Sequence, residues 1–402
     1  MNRPSGKELR QHWILDPAVR YLNHGSFGAS PRAVLEHQRQ LRDRMEAEPV
    51  RFFVREYDEL LTSARTRVGE FVGAAPDTLA FVPNASSGVN TVVRSLEFSP
   101  GDELVTTDHE YRACRNALGY VAQRAGAVVV VAKVPFPLES PDQVVDAVLQ
   151  CVTPRTRLAL IDHVTSQTGL VLPIGRLVSE LAARGVDTLV DGAHGPGMVD
   201  VRIEEIGAAY YTANCHKWLC APKGAAFLYV RPDRRDRIHP LCISHGATWP
   251  TGERTRFRLE FDWTGTDDPT AHLAVPFALD HLAGLIPGGW PALRERNRRL
   301  ALAARELLCR RLGIAPPCPD SMIGSLASLP IPDGDMSVPR SPLYTDPLQD
   351  ELLFRHGLEV PVVPWPGPPK RLLRISCQLY NDLDDYEALS EALLEALPPR
   401  PR

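Results

Sequence analysis

At 402 residues the chain is longer than one hydrophobic core usually serves, so a large domain with a smaller companion is expected. A formal charge of -4 gives no electrostatic reason to invoke nucleic acid or an anionic membrane as partner, and 44% hydrophobic residues can fill both cores. The arginine-rich stretch at residues 294–299 reads as a solvated face.

The first eight residues lack the apolar core of a signal peptide, and no run of about 18 apolar residues occurs. A soluble, cytoplasmic protein is the expectation. The eight cysteines, at 114, 151, 215, 220, 242, 309, 318 and 377, form no C-x-x-C pair and accompany no paired histidine cluster. Free thiols are expected, and no metal site.

In chain order, residues 32–44 and 56–72 have helix periodicity. From about 80 to 230, short apolar runs alternate with amphipathic stretches: strands are predicted at 79–82, 103–107, 127–132, 158–162 and 188–191, with helices at 140–151 and 174–184. That alternation predicts an α/β fold with a mostly parallel, doubly wound sheet, whose ligands sit at the carboxyl ends of strands. A proline-rich stretch at 315–347 precedes a short pattern at 371–376 and a final helix at 384–397. The expected division is an N-terminal segment 1–30, a large domain 31–275 and a small C-terminal α/β domain 276–402. The tail, 398–402, is expected to fray.

Three places carry chemistry. Asn214-Cys215-His216-Lys217-Trp218-Leu219 leads through a glycine-bearing turn into an apolar strand, a setting that desolvates a lysine and lowers its pKa. A snorkelling surface lysine is the bland alternative. Asp191 ends a buried strand in Val190-Asp191-Gly192-Ala193-His194, where it could pair with a protonated pyridine nitrogen or cap a helix. Asn84-Ala85-Ser86-Ser87-Gly88 opens a helix after a strand, a setting suited either to a phosphate or to an ordinary N-cap.

These blocks, with Tyr21 to Gly28, Thr107 to Tyr111, His163 to Gly169 and Arg374 to Asn381, resemble the class V aminotransferase superfamily of fold-type I pyridoxal 5'-phosphate (PLP) enzymes. The likeness extends over residues 21–394 and is nearest to the isopenicillin N epimerase-like branch. The resemblance implies that Lys217 forms the Schiff base and that Asp191 binds the pyridine nitrogen. Tyr111 would stack on the ring, while Ala85, Ser86, Asn214 and His216 would form the phosphate cup. Ser166 or Gln167 would lie near the pyridine hydroxyl, His194 would join the cofactor set, and Thr266 would reach a phosphate across a homodimer interface. Arg374 would bind the substrate carboxylate bidentately, with Asn23 and His24 bordering the substrate. His109 and His163 read as structural histidines, and Trp218 and Trp263 as packing residues.

Residues 360–368 lack the thiol that persulfide-forming relatives need. The resemblance therefore implies epimerisation at the Cα of an amino acid or its conjugate, in secondary metabolism. The second-face proton would come from His24, Tyr111 or water. The first alternative is β-elimination of a cysteine S-conjugate by a carbon-sulfur lyase, followed by transamination and decarboxylation-coupled oxidative deamination. A non-catalytic binding module is opposed by the presence of Lys217, Asp191 and Arg374 together.

Overall fold

The computed structural model describes residues 4–335 and 346–397. Part of the proline-rich stretch and the tail expected to fray lie outside these residues.

Seven strands form the principal sheet: β1 (Leu79–Val82), β2 (Glu103–Thr107), β3 (Val128–Ala132), β4 (Thr156–Asp162), β5 (Asp187–Asp191), β6 (Tyr210–Asn214) and β7 (Ala226–Val230), in the order β1-β7-β6-β5-β4-β2-β3. All are parallel to their neighbours except β7, which runs antiparallel to β1 and β6. Because successive side chains alternate between faces, a sheet covered on both sides reads as an unbroken apolar run. In β4, Ala159 and Ile161 join one core while Leu158 and Leu160 join the other. The same split separates Val190 from Leu189 in β5, and Phe227 and Tyr229 from Leu228 and Val230 in β7.

The covering helices include α1 (Arg32–Ala47), α2 (Tyr57–Val72), α3 (Ala85–Ser95), α4 (Arg112–Ala125), α5 (Asp142–Leu149) and α6 (Ile174–Ala182). The predicted elements lie within a few residues of these bounds. Downstream, a three-stranded antiparallel sheet contains β8 (Leu326–Ile331), β9 (Val362–Pro364) and β10 (Arg371–Ser376), in the order β9-β10-β8. Two long helices, Gly289–Leu312 and Leu383–Ala396, belong to the same part of the chain. The N-terminal segment joins this part, since Arg20 and Tyr21 pair in parallel with Leu358 and Glu359.

Parallel strands deliver their carboxyl ends to one edge, so Asp162, Asp191 and Asn214 emerge together. The start of α3 is brought to that edge by a close approach to β6. A Cβ built on Gly88 would lie 2.0 Å from the Thr212 hydroxyl oxygen. Alanine is ordinarily preferred to glycine in a helix by nearly 1 kcal/mol. Here we expect Gly88→Ala to lose about 1–3 kcal/mol by overpacking. A thermal melt at or above that of the parent protein would show that α3 can withdraw from the sheet freely.

Candidate active site

The strand ends and helix starts enclose a cavity of about 370 Å³, lined by Asn84, Ala85, Ser86, Tyr111, Asp162, Ser166, Asp191, His194, Asn214, His216 and Lys217, together with Ser26 and Phe27. Lys217 follows β6 on a loop whose position is fixed from behind. Its carbonyl accepts from the backbone N–H of Cys220 at 3.0 Å and lies 3.0 Å from Nε2 of His24. Gly28 packs so closely on this loop that a Cβ there would meet the His216 carbonyl oxygen at 2.0 Å, and its φ of 70° also suits glycine.

The Lys217 amine faces the cavity, with Nζ 2.9 Å from Nε2 of His194. Desolvation, then the Arg374 guanidinium, lowers its pKa to about 8, against the pull of Asp191, Cys114 and Asp162. About a tenth is therefore free amine at pH 7, and that fraction falls further as the pH drops.

Asp191 accepts from the Ala193 N–H at 2.9 Å and from the Cys114 thiol at 3.1 Å, so it forms a local turn and caps no helix. Beside it, Glu110 and Asp162 are buried. Burial first, then the neighbouring carboxylates, raises both well above the usual carboxyl range, so the pair holds a proton. Nothing in the local sequence marks this cluster, because Glu110, Cys114, Asp162 and Asp191 come from four separate elements. Asp191 and Asp162, each a polar residue closing an apolar run, are the members that the sequence could signal.

The helix start is preorganised. Asn84 Oδ1 accepts from the Ser87 N–H at 2.8 Å, and Asn214 Oδ1 accepts from the Ala85 N–H at 2.9 Å. The Ala85 N–H is thus engaged by Asn214, and Ala85 itself lines the cavity. Ser86, Asn214 and His216 also line the cavity. His216 donates from Nδ1 to the Ala225 carbonyl at 3.2 Å, and burial lowers its pKa to about 4.

Arg374, in the middle of β10, is buried. Its Nη1 donates to the Ser166 carbonyl at 2.7 Å and to the Ser166 hydroxyl at 3.3 Å. Its Nη2 donates to the Ser26 hydroxyl at 2.7 Å and to Asn23 Oδ1 at 3.5 Å. Every one of these acceptors is neutral, and Nε has no partner among the described residues. A guanidinium withdrawn from water without an anion is costly; Arg374 is not among the cavity-lining residues, but its partners Ser26 and Ser166 are.

The remaining predicted residues divide. Tyr111 lines the cavity and is 44% exposed. Ser166 lines it, whereas Gln167 does not; the Gln167 carbonyl accepts from the Ser328 hydroxyl at 2.7 Å. Asn23 stands behind Ser26, donating to Glu359 at 2.9 Å. His24 is not at the substrate edge: it is wholly buried, 2.9 Å from the Tyr380 hydroxyl, and burial lowers its pKa to about 3. It supports the lysine loop and cannot serve as the second proton donor. Thr266 is exposed and outside the cavity of this chain. His109 and His163 are structural, bonded to Thr168 and Tyr211 respectively. Trp263 packs edge-on against Phe53 and Tyr57.

A lysine amine, an acid at a strand end and a helix start around one cavity have the donor chemistry of a PLP site in a fold-type I enzyme. The chain belongs to the aminotransferase class-V family, which matches residues 20–258. It is 39% identical over 400 residues to isopenicillin N epimerase from Amycolatopsis lactamdurans, covering 96% of this chain and 97% of that protein. It is 32% identical over 403 residues to a probable chloroplastic L-cysteine desulfhydrase from Arabidopsis thaliana, covering 94% and 83%. In fold it is similar to the Escherichia coli cysteine desulfurase CsdA, with a TM-score of 0.79 at 22% identity over 99% of this chain and 100% of that one. The protein is a PLP-dependent enzyme.

Replacing Arg374 with methionine should weaken binding of amino acids through their carboxylate by about 2–5 kcal/mol, roughly 30-fold to several-thousand-fold. Amines without a carboxylate should bind as before. Titrating the visible absorption of the cofactor with both ligand classes measures the difference, and equal losses for both would remove Arg374 from carboxylate recognition.

Proposed function

We propose that the enzyme epimerises the Cα of an amino acid or amino-acid conjugate. The observation that carries this reading is the likeness to isopenicillin N epimerase over nearly the whole of both chains. PLP, joined to a substrate amine, makes the Cα–H bond acidic and draws the resulting electron pair into its pyridine ring.

The chain's own residues then have distinct tasks. Lys217 would anchor the cofactor and move the Cα proton on one face. Asp191 would hold the pyridine nitrogen, Ser86, Asn214 and His216 the phosphate, Ser166 the pyridine hydroxyl side, and Arg374 the substrate carboxylate. With His24 withdrawn from the cavity, Tyr111, which lines it, or a water would serve the second face. Burial raises the Tyr111 pKa, so the phenol keeps its proton near neutrality.

A second reading is favoured by the desulfhydrase relative: β-elimination from a cysteine derivative, for which Lys217 alone could manage the protons. A homodimer with shared sites would use the exposed apolar side chains Phe27, Leu241 and Ile243, of which Phe27 also lines the cavity. Thr266 would then serve the partner's phosphate. Light scattering that finds a monomer at micromolar concentration would contradict the shared sites.

The two reactions separate cleanly in deuterated water. Epimerisation predicts that a single enantiomer is converted to a mixture of both, with deuterium at Cα and no loss of the side-chain substituent. Release of pyruvate and ammonia from cysteine or an S-conjugate, without inversion, would replace the first reading with the second.

A further inference from the structure

Trp218 follows Lys217 and is almost wholly buried, packed with Val164, Met198 and Leu326. Packing alone was the expectation, but its indole N–H does more. Nε1 donates to Nδ1 of His194 at 3.2 Å, while Nε2 of the same ring lies 2.9 Å from Nζ of Lys217.

An indole nitrogen can only donate, so Nδ1 of His194 must offer its lone pair. A neutral imidazole carries one N–H, and His194 is neutral because its burial disfavours the charged ring. The ring proton is therefore on Nε2, pointing at the lysine nitrogen. An ammonium there would set N–H against N–H, whereas a free amine accepts the bond with its lone pair.

We propose that Trp218 is a positioning residue: it locks His194 in the Nε2–H tautomer, and that tautomer favours the free amine of Lys217 over the ammonium. This rests on the reading of Lys217 as the cofactor lysine. Among the charged groups facing the amine, Arg374 acts in the same direction as the lock, and Asp191, Asp162 and Cys114 act against it. The tautomer lock therefore offsets the very carboxylates that the cofactor site requires.

The test uses the full chain and Trp218→Phe, which keeps an aromatic ring and deletes the donor. In the parent protein, heteronuclear NMR of isotope-labelled histidine should place the His194 proton on Nε2. In Trp218→Phe the Nδ1–H form should appear, and the pH midpoint of cofactor capture by the resolved enzyme should rise by about one unit, a tenfold loss of free amine at a given pH. Alanine at position 194 leaves no ring for the indole to orient, so in a His194→Ala background Trp218→Phe should shift the midpoint no further. The proposal is overturned if the parent's His194 carries its proton on Nδ1, a result that does not depend on any variant folding, or if the midpoint in Trp218→Phe is unmoved. Borohydride reduction followed by mass analysis of the Lys217 peptide tests the cofactor reading separately, since unlabelled Lys217 would end that reading and leave the tautomer measurement standing.

Discussion

The constraint on which the site depends is the cost of keeping a lysine amine away from bulk water. An ammonium in such a place must either find an anion or give up its proton. Both options are available around Lys217. Desolvation and Arg374 oppose the charge, while Asp191 and Asp162 favour it, and the amine's pKa is lowered to about 8. A salt bridge from Lys217 to Asp191 would have been the simpler way to settle the charge. It would also have removed both groups from chemistry.

That balance requires the loop at 215–220 to stay where it is, and the parts that hold it come from distant sequence. Gly28 and His24 reach it from the N-terminal segment, and Gln378 and Tyr380 back the His24 ring from the far end of the chain. The N-terminal segment is in turn paired with Leu358 and Glu359. Cys220 sits at a φ of 54°, a left-handed conformation that costs a non-glycine residue about 1 kcal/mol or more. The sulfur is buried 3.7 Å from His24 Nε2, so the strained turn is held by packing on the same histidine that steadies Lys217.

Much of this was legible in the sequence where one physical rule acts alone. Strand β1 has its predicted limits because the unbroken apolar run Leu79-Ala80-Phe81-Val82, set between Thr78 and Pro83, leaves few alternatives. Strand β8 was hidden inside the proline-rich stretch, since Pro330 reads as a strand breaker. It is an edge strand, paired only with β10, and an edge can accommodate a missing N–H. The lysine, the strand-end aspartate and the helix start were each readable as local patterns. Their partners were not. The bond from Trp218 to His194 joins residues 24 positions apart, and the one from Cys114 to Asp191 spans 77. Such contacts depend on which strand ends the topology places side by side. His24 shows the opposite failure: a histidine in a distinctive block looked chemical, and tertiary packing made it structural.

The same constraint bears on how one framework can serve relatives named for different reactions. An epimerase and a desulfhydrase both align over nearly the whole chain, so the sheet, its switch of strand order and the lysine loop cannot by themselves choose between them. With Arg374 as the proposed anchor for the carboxylate, one substituent of Cα would be fixed, and the proposed attachment to the cofactor would fix another. What remains free is the rotation that presents either the proton or the side chain to Lys217, and the identity of the acid that can reach the opposite face. In this chain the groups placed to govern those two choices are Ser26, Phe27 and Tyr111, which line the cavity without being fixed by the sheet. The difference between moving a proton and breaking a carbon-sulfur bond is then a matter of side chains at the cavity mouth, on loops and helix starts that can vary without disturbing the balance that lowers the lysine's pKa.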